Sequence, residues 1–369
     1  MTEFLKGADL STLLEVERCG GRFFDTDGRE DDAMHILARH GVNHIRLRIW
    51  NNPYSETGAP YGGGGCDLEA VTALARRAKD LGLTWQLVFH YSDFWTDPGK
   101  QNLPKAWRGL SPVELEKAVY AFTRDTLLTL KAQGLAPEQV SVGNEITNGL
   151  LWPDGKAPTW DRIARLVSAG IRAVRDTLPD AGVLIHLDNG GRPELSAEWF
   201  SHYVENGGED FDCIALSYYP YWSGSLSGLE ENLRTLAEKY HKPLLVTETA
   251  MGHTLDDYAC REGLAPNARK GPAAGAQQTE AIPWPMTPEG QAAFLTELSA
   301  CIRRTPAGLG AGLVYWEPAW LPVKGSEWAT PAGLLYLNNP GPGGNEWANQ
   351  SLFDYEGHAL PALGRIETL

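Results

Sequence analysis

Two glutamates each stand at the end of a short apolar run: Glu145 in "VSVGNEITNG" and Glu248 in "LLVTETAM". Two carboxylates carried to one place on strand ends can share acid/base and nucleophilic work. The chemistry this fits is hydrolysis of a glycosidic bond, where one carboxyl protonates the leaving oxygen and the other attacks the anomeric carbon. The two stand about 5–5.5 Å apart in enzymes that retain configuration. Proximity of like charges raises the pKa of the acid member. Singly, each Glu would be an ordinary solvated or salt-bridged loop residue. The matching strand ends, and Asn144 directly before Glu145, argue for the pair.

Other polar and aromatic groups belong to the same strand ends. Arg46 and Arg48 alternate within the apolar run "HIRLRI", so both project to one face. Facing out, they would bridge to helices; facing in, they would hold a carboxylate ionised. His90 closes "WQLVFH", with a structural role and a site role equally open. "SYYPYW" places Tyr218, Tyr219 and Trp222 after another apolar run, and "YWEP" supplies Trp316 as a floor for a sugar ring. No H-x-H grouping points to metal catalysis. No G-x-S-x-G elbow points to a serine hydrolase.

The elements that must position these residues follow from periodicity. Apolar runs predict eight strands, at 4–9, 44–49, 85–90, 139–143, 183–187, 213–218, 244–248 and 312–317. Between them lie amphipathic patterns with start and stop signals. "CDLEAVTALARRAKDLG" carries an apolar stripe ending at Gly82; Ser111, Pro112 and Glu114 form a capping box; Ser227 and Glu230 read as another; Thr287-Pro288 opens a further helix. "FFDTDGRE" reads as a hairpin turning at Asp27-Gly28. Strand and helix alternate throughout, which predicts a single-domain (β/α)8 TIM barrel over 1–369. An open doubly wound sheet would want a Gly-rich phosphate loop after its first strand, and "GADLSTLLE" is not one. "YGGGGCD" reads as a flexible loop, and 261–285 as a long, mobile Gly/Ala/Pro-rich one.

Helix-to-strand connections are short and strand-to-helix ones long, the layout of a barrel whose site is built on the strand C-terminal face. Ten of the thirteen Trp, at 50, 95, 107, 152, 222, 284, 316, 320, 328 and 347, fall in post-strand segments. That predicts an aromatic cleft suited to stacking on sugar rings.

Bulk properties narrow the partners. Net charge is −15 with no basic block, against nucleic acid and anionic membranes. No apolar run approaches the roughly 18 residues of a membrane helix. The five Cys are scattered, with no C-x-x-C pair. "MTEFLKGADL" lacks the layout of a signal peptide.

Taken together, "HIRLRIWNNP", "FHYSDFWTDPGKQNLPKAW", "VGNEITNGLLWP", "SYYPYW", "TETA", "YWEPAW" and "QSLFDYEG" resemble the glycoside hydrolase family 53 endo-β-1,4-galactanases, retaining clan A (β/α)8 enzymes. The resemblance implies that Glu145 is the acid/base and Glu248 the nucleophile. It implies that Asn144 bonds the sugar 2-hydroxyl, that Arg46 supports the nucleophile and that Tyr219 contacts it. His90, Asp93, Trp95 and Trp316 match its substrate-cleft segments. The implied substrate is β-1,4-galactan, the side chain of type I arabinogalactan in pectin. A clan A glycanase for mannan or glucan, an enzyme for short galacto-oligosaccharides and a non-catalytic carbohydrate-binding barrel are the alternatives.

No cofactor is expected. Some bacterial relatives hold calcium in the late loops. Here the corresponding loop offers only Asp256, Asp257 and Asn267 amid Gly, Ala and Pro, a poor set of hard oxygen ligands. A monomer is expected. A polymeric substrate implies a secreted or cell-surface enzyme whose signal has been trimmed, with a cytoplasmic enzyme as the alternative.

Overall fold

The apolar runs become eight parallel strands: β1 Leu5–Asp9, β2 His44–Ile49, β3 Thr84–Phe89, β4 Gln139–Val142, β5 Gly182–Leu187, β6 Cys213–Ser217, β7 Leu244–Thr249 and β8 Gly310–Trp316. Each pairs with its neighbours in chain order, and β1 pairs with both β2 and β8, closing the barrel. The computed structural model describes residues 3–261, 263–280 and 282–369. The predicted strands agree with these to within two residues at every end.

Among the described residues, seven helices of seven or more residues pack outside: α1 Ala33–Arg39, α2 Leu68–Asp80, α3 Pro112–Ala132, α4 Trp160–Thr177, α5 Pro193–Glu205, α6 Leu226–Tyr240 and α7 Pro288–Arg303. Their apolar stripes bury Leu74, Leu127, Val167 and Leu298 against the sheet. Each such side chain contributes about 1.5–3 kcal/mol. The eighth helical position is taken by a C-terminal 3₁₀ turn, Leu363–Thr368, tied down by Lys6 on the backbone oxygen of Glu367.

The start signals hold at Ser111–Glu114, a two-way capping box, and at Thr287, whose side chain accepts from Gly290 N–H. The expected box at Ser227 and Glu230 does not form. Ser225 is the cap, Ser227 lies inside α6, and Glu230 reaches across to pair with Arg304 at 2.7 Å. The Asp27-Gly28 turn joins a small antiparallel hairpin, Phe23–Phe24 with Glu30–Asp31. Residues 261–285 carry helical turns at Pro266–Ala268 and Ala276–Thr279, while 262 and 281 lie outside the described residues.

"YGGGGCD" is not a loose loop. Gly63 has a φ of +62°, and a Cβ there would sit 2.6 Å from the Trp95 ring; at Gly64 it would sit 2.5 Å from the Ser11 carbonyl oxygen. Only glycine lets this backbone run against the indole and present its carbonyl to Arg48.

Inside the barrel the layers change character. Leu184, Ala215, Leu245 and Val314 form an apolar plug. Above it Thr247 bonds Gln86 across the interior at 3.3 Å. The charged groups come next, at the C-terminal ends of the strands. Alternation puts Leu245 and Thr247 inside, which would send Glu248 outward. The ladder irregularities do the opposite: register shifts between Leu216 and Ser217 and between Val246 and Thr249, and such shifts re-aim side chains.

Candidate active site

Arg46, fully buried on β2, anchors the site. One guanidinium nitrogen donates to Asp9 Oδ2 at 2.6 Å. The other donates to Asn144 Oδ1 at 2.9 Å and pairs with Glu248 Oε1 at 2.7 Å. One inward Arg thus ties the ends of β1, β4 and β7 together. Arg48 is the second inward cation. It pairs with Glu317 at 2.5 Å, donates to the Gly63 carbonyl at 2.9 Å and lies 4.3 Å from the Trp95 ring centroid. The outward placement of these arginines is thereby excluded.

Glu145 follows β4 in the left-handed region, with φ 50° and ψ 51°. A non-glycine residue held there costs about 1–3 kcal/mol and persists only where its surroundings over-determine it. They do: its N–H points at His186 Nδ1 (3.4 Å), and Gln101 Nε2 donates to the Asn144 and Glu145 carbonyls at 2.9 and 3.4 Å. Asn144 is locked too. A guanidinium can only donate, so Oδ1 faces Arg46 and Nδ2 faces the Thr96 carbonyl at 3.1 Å.

One carboxylate oxygen of Glu145, one of Glu248 and a ring nitrogen of His186 all lie within 4.8 Å of one another. Burial raises the pKa of Glu145 well above the carboxylate range, and the charges of Glu248 and Asp188 raise it further. Burial raises Glu248 as well, but there Arg46 opposes it, helped by the Tyr219 hydroxyl donating to Oε2 at 3.0 Å. Of the two carboxyls, Glu248 is the one with a cation beside it to favour its ionised form. His186 offers no free ligand atom for a metal, since Nδ1 faces the Glu145 N–H and Nε2 faces Ser217 Oγ at 2.8 Å.

The two glutamates open into a cavity of about 500 Å³. Its walls include six indoles, Trp95, Trp222, Trp316, Trp320, Trp328 and Trp347. Trp316 and Trp347 meet edge to face at 4.6 Å. Of the ten post-strand Trp, the other four turn away. Trp50 backs Trp95 at 5.1 Å, Trp107 packs on Phe122, Trp284 packs on Phe294, and Trp152 bonds the Asn148 carbonyl.

His90, Asn144, Tyr219, Trp95, Trp222 and Trp316 all line this cavity. Burial and both arginines depress the pKa of His90, so the ring is neutral. Thr96 N–H donates to its Nδ1 at 3.4 Å, which leaves the ring proton on Nε2. Asp93 is the exception. It is fully buried behind the wall, accepting the backbone N–H of Asn52 (3.1 Å) and Lys105 (2.7 Å). It fixes the loops after β2 and β3 and does not reach the cleft. Asp256 and Asp257 belong to no metal-sized acidic or His group among the described residues, and Asp257 instead caps the Ala259 N–H at 2.9 Å.

Several residues escaped the sequence reading: Asp9, His186 and Ser217 in the strands, and Asp97, Asp188 and Glu346 in loops. The first three are polar residues within or ending apolar runs, the signal that singled out Arg46. The loop residues carry no periodicity at all.

Comparison with known proteins gives the chain's relatives. The chain is 35% identical to the endo-beta-1,4-galactanase of Bacillus subtilis over 98% of its own length and 85% of that protein. It is 37% identical to the arabinogalactan endo-beta-1,4-galactanase of Cellvibrio japonicus over 98% and 90% of the two chains. The structure superimposes on the GH53 catalytic domain of Ignisphaera aggregans with a TM-score of 0.90 at 38% identity, covering 98% of this chain and 95% of that one. A fungal beta-1,4-galactanase gives 0.79 at 30% identity, covering 98% of both. The profile of glycosyl hydrolase family 53 matches residues 5–366, and the chain belongs to that family of glycoside hydrolases.

Proposed function

We propose that the protein is a retaining endo-β-1,4-galactanase in which Glu145 is the acid/base and Glu248 the nucleophile. The observation that carries this is the unequal treatment of two neighbouring carboxylates: Arg46 and Tyr219 hold Glu248 ionised, while burial and that charge keep the proton on Glu145. One oxygen of each lies within 4.8 Å of the other, which fits a direct attack and the short separation of a retaining pair, about 5–5.5 Å.

In the first step Glu145 gives its proton to the glycosidic oxygen as Glu248 bonds the anomeric carbon, and the leaving chain departs. In the second, water gives a proton to Glu145 and its oxygen displaces Glu248, restoring both groups. Asn144, with its amide fixed by Arg46 and Thr96, supports the sugar 2-hydroxyl, and the Nε2–H of His90 is a donor to a neighbouring hydroxyl. Trp316 is the platform for the ring being cleaved.

The galactan assignment draws on the named relatives. No helix among the described residues is long and apolar enough to cross a membrane. A polymer that cannot enter a cell implies action outside it, by a monomer that needs no cofactor.

The test is reducing-sugar release from β-1,4-galactan, β-1,3-galactan, mannan, xylan and carboxymethyl cellulose. Activity on the first alone is expected. Activity on another polymer keeps the mechanism and overturns the substrate. Activity only on short galacto-oligosaccharides overturns the endo assignment.

A further inference from the structure

His186 and Ser217 sit between the two carboxylates with no role in the scheme above. Ser217 ends β6, His186 lies on β5, and neither is more than 1% exposed. Their hydrogen bonds have a fixed direction. The Glu145 N–H can only donate, so His186 Nδ1 accepts (3.4 Å) and the ring proton is on Nε2. That proton goes to Ser217 Oγ at 2.8 Å. The serine hydroxyl is therefore an acceptor on the His186 side and must send its own proton elsewhere. Two carboxyls are in reach: Glu248 Oε2 at 3.5 Å, and Glu145, whose ionised form the same hydroxyl favours.

We propose that His186 and Ser217 form a neutral relay whose single hydroxyl proton follows the negative charge, from Glu248 in the free enzyme to Glu145 once Glu248 is esterified. The inference rests on the assigned roles of Glu145 and Glu248. During the first step the charge leaves Glu248 as its oxygen bonds carbon and appears on Glu145 as its proton departs. A donor fixed on either carboxylate would favour one half of the reaction over the other. A hydroxyl free to rotate between them, with its lone pair pinned by His186, serves both. No covalent bond of His186 or Ser217 changes. Burial and the Arg46 charge keep the imidazole neutral, so the relay adds no charge of its own. Among the described residues, the other charged or titratable groups facing the carboxylates and the relay are Arg46 and Arg48 from β2, Asp9 from β1, His90 and Asp97 after β3, Asp188 after β5 and Tyr219 after β6.

His186 and Ser217 are thus positioning residues, and pH profiles of kcat/KM on galactan test them. Ser217→Ala takes a donor from ionised Glu145, so the alkaline limb moves up by about half a pH unit or more. The acid limb, set by Glu248, moves up with it. Ser217→Thr restores both limbs. His186→Leu frees the hydroxyl to point elsewhere and shifts the limbs in the same direction, and the double variant shifts them no further than Ser217→Ala. Should His186→Leu fail a circular-dichroism check of folding, His186→Gln, which keeps one donor, is compared with it. Unmoved limbs in Ser217→Ala with a lowered kcat, or additive shifts in the double variant, overturn the relay. A Glu145→Gln variant that keeps the wild-type alkaline limb would overturn the underlying assignment instead.

Discussion

Arg46 touches one carboxylate of the pair and not the other. Its guanidinium lies 2.7 Å from Glu248, while among the described residues no ion pair reaches Glu145. The buried floor holds two cations, Arg46 and Arg48, already shared by Asp9, Glu248 and Glu317. Glu145 is a further carboxyl over a floor with no positive charge to spare. Burial first, and then the charges of Glu248 and Asp188, raise its pKa with no ion pair to oppose them, and the division of labour follows from that.

Chemical rescue reads that division directly. Glu248→Ala should abolish turnover, and azide should restore it with an inverted glycosyl azide, because the small anion occupies the face the carboxylate vacated. Glu145→Ala should spare aryl substrates whose leaving group needs no proton, and lose the polymer. Equal losses on both substrate types in Glu145→Ala would remove its acid role. Product configuration is read by NMR.

Much of this was legible beforehand because the barrel is written in short-range pattern. Apolar runs of strand length, alternation in "HIRLRI" and the Ser111–Glu114 box each report a local preference that the tertiary fold keeps. The misses are those where long-range packing decides. Asp93 stands in a cleft segment by sequence, yet its side chain points back to bind two backbone N–H groups. Four glycines in a row look loose until Trp95 is packed on them. Whether a loop Trp faces the cavity or the core, as Trp316 and Trp50 respectively do, depends on contacts between segments far apart in the chain.

Removing the Arg46 cation should move the acid limb of the pH profile. In Arg46→Leu, Glu248 loses what opposes its burial, so its pKa rises and activity is lost at higher pH than in the wild type. Asp9 loses its 2.6 Å partner as well and keeps only Arg48 at 3.5 Å, so the fold should lose stability, by about 3 kcal/mol. An acid limb that stayed in place by kcat/KM titration would mean that Arg46 serves the fold alone.

The two kinds of tryptophan should separate in one experiment. Trp316→Ala should lower kcat/KM by about tenfold or more, the equivalent of about 1.4 kcal/mol of lost contact, with little change in Tm. Trp50→Ala, 1% exposed behind Trp95, should destabilise by about 3–5 kcal/mol. Denaturant melts and steady-state kinetics on both variants check this, and a Trp316→Ala enzyme with wild-type kinetics would remove the platform role.

Asp93→Ala should behave as a stability variant. It orphans the Asn52 and Lys105 N–H groups, at about 1–3 kcal/mol, and leaves KM for galactan nearly unchanged at temperatures well below its melt. A large rise in KM without loss of stability would return Asp93 to the substrate-binding set.

Glu145→Gln should stabilise the protein while disabling it. Burial and neighbouring charges raise the folded-state pKa of Glu145 above its unfolded value, so the folded chain binds the proton more tightly than the unfolded one. Its contribution to stability is then intact below the unfolded pKa of about 4.3 and is lost as pH climbs toward the folded value. Glu15 and Glu317, each pushed up to about 7 chiefly by burial, add to the same decline. Glutamine cannot ionise, so the variant escapes the Glu145 share of it. Its Tm should exceed that of the wild type at pH 8, by the equivalent of about 1 kcal/mol, and match it at pH 4. Calorimetry at the two pH values decides: an equal offset at both would mean that packing, and not the retained proton, separates the two proteins.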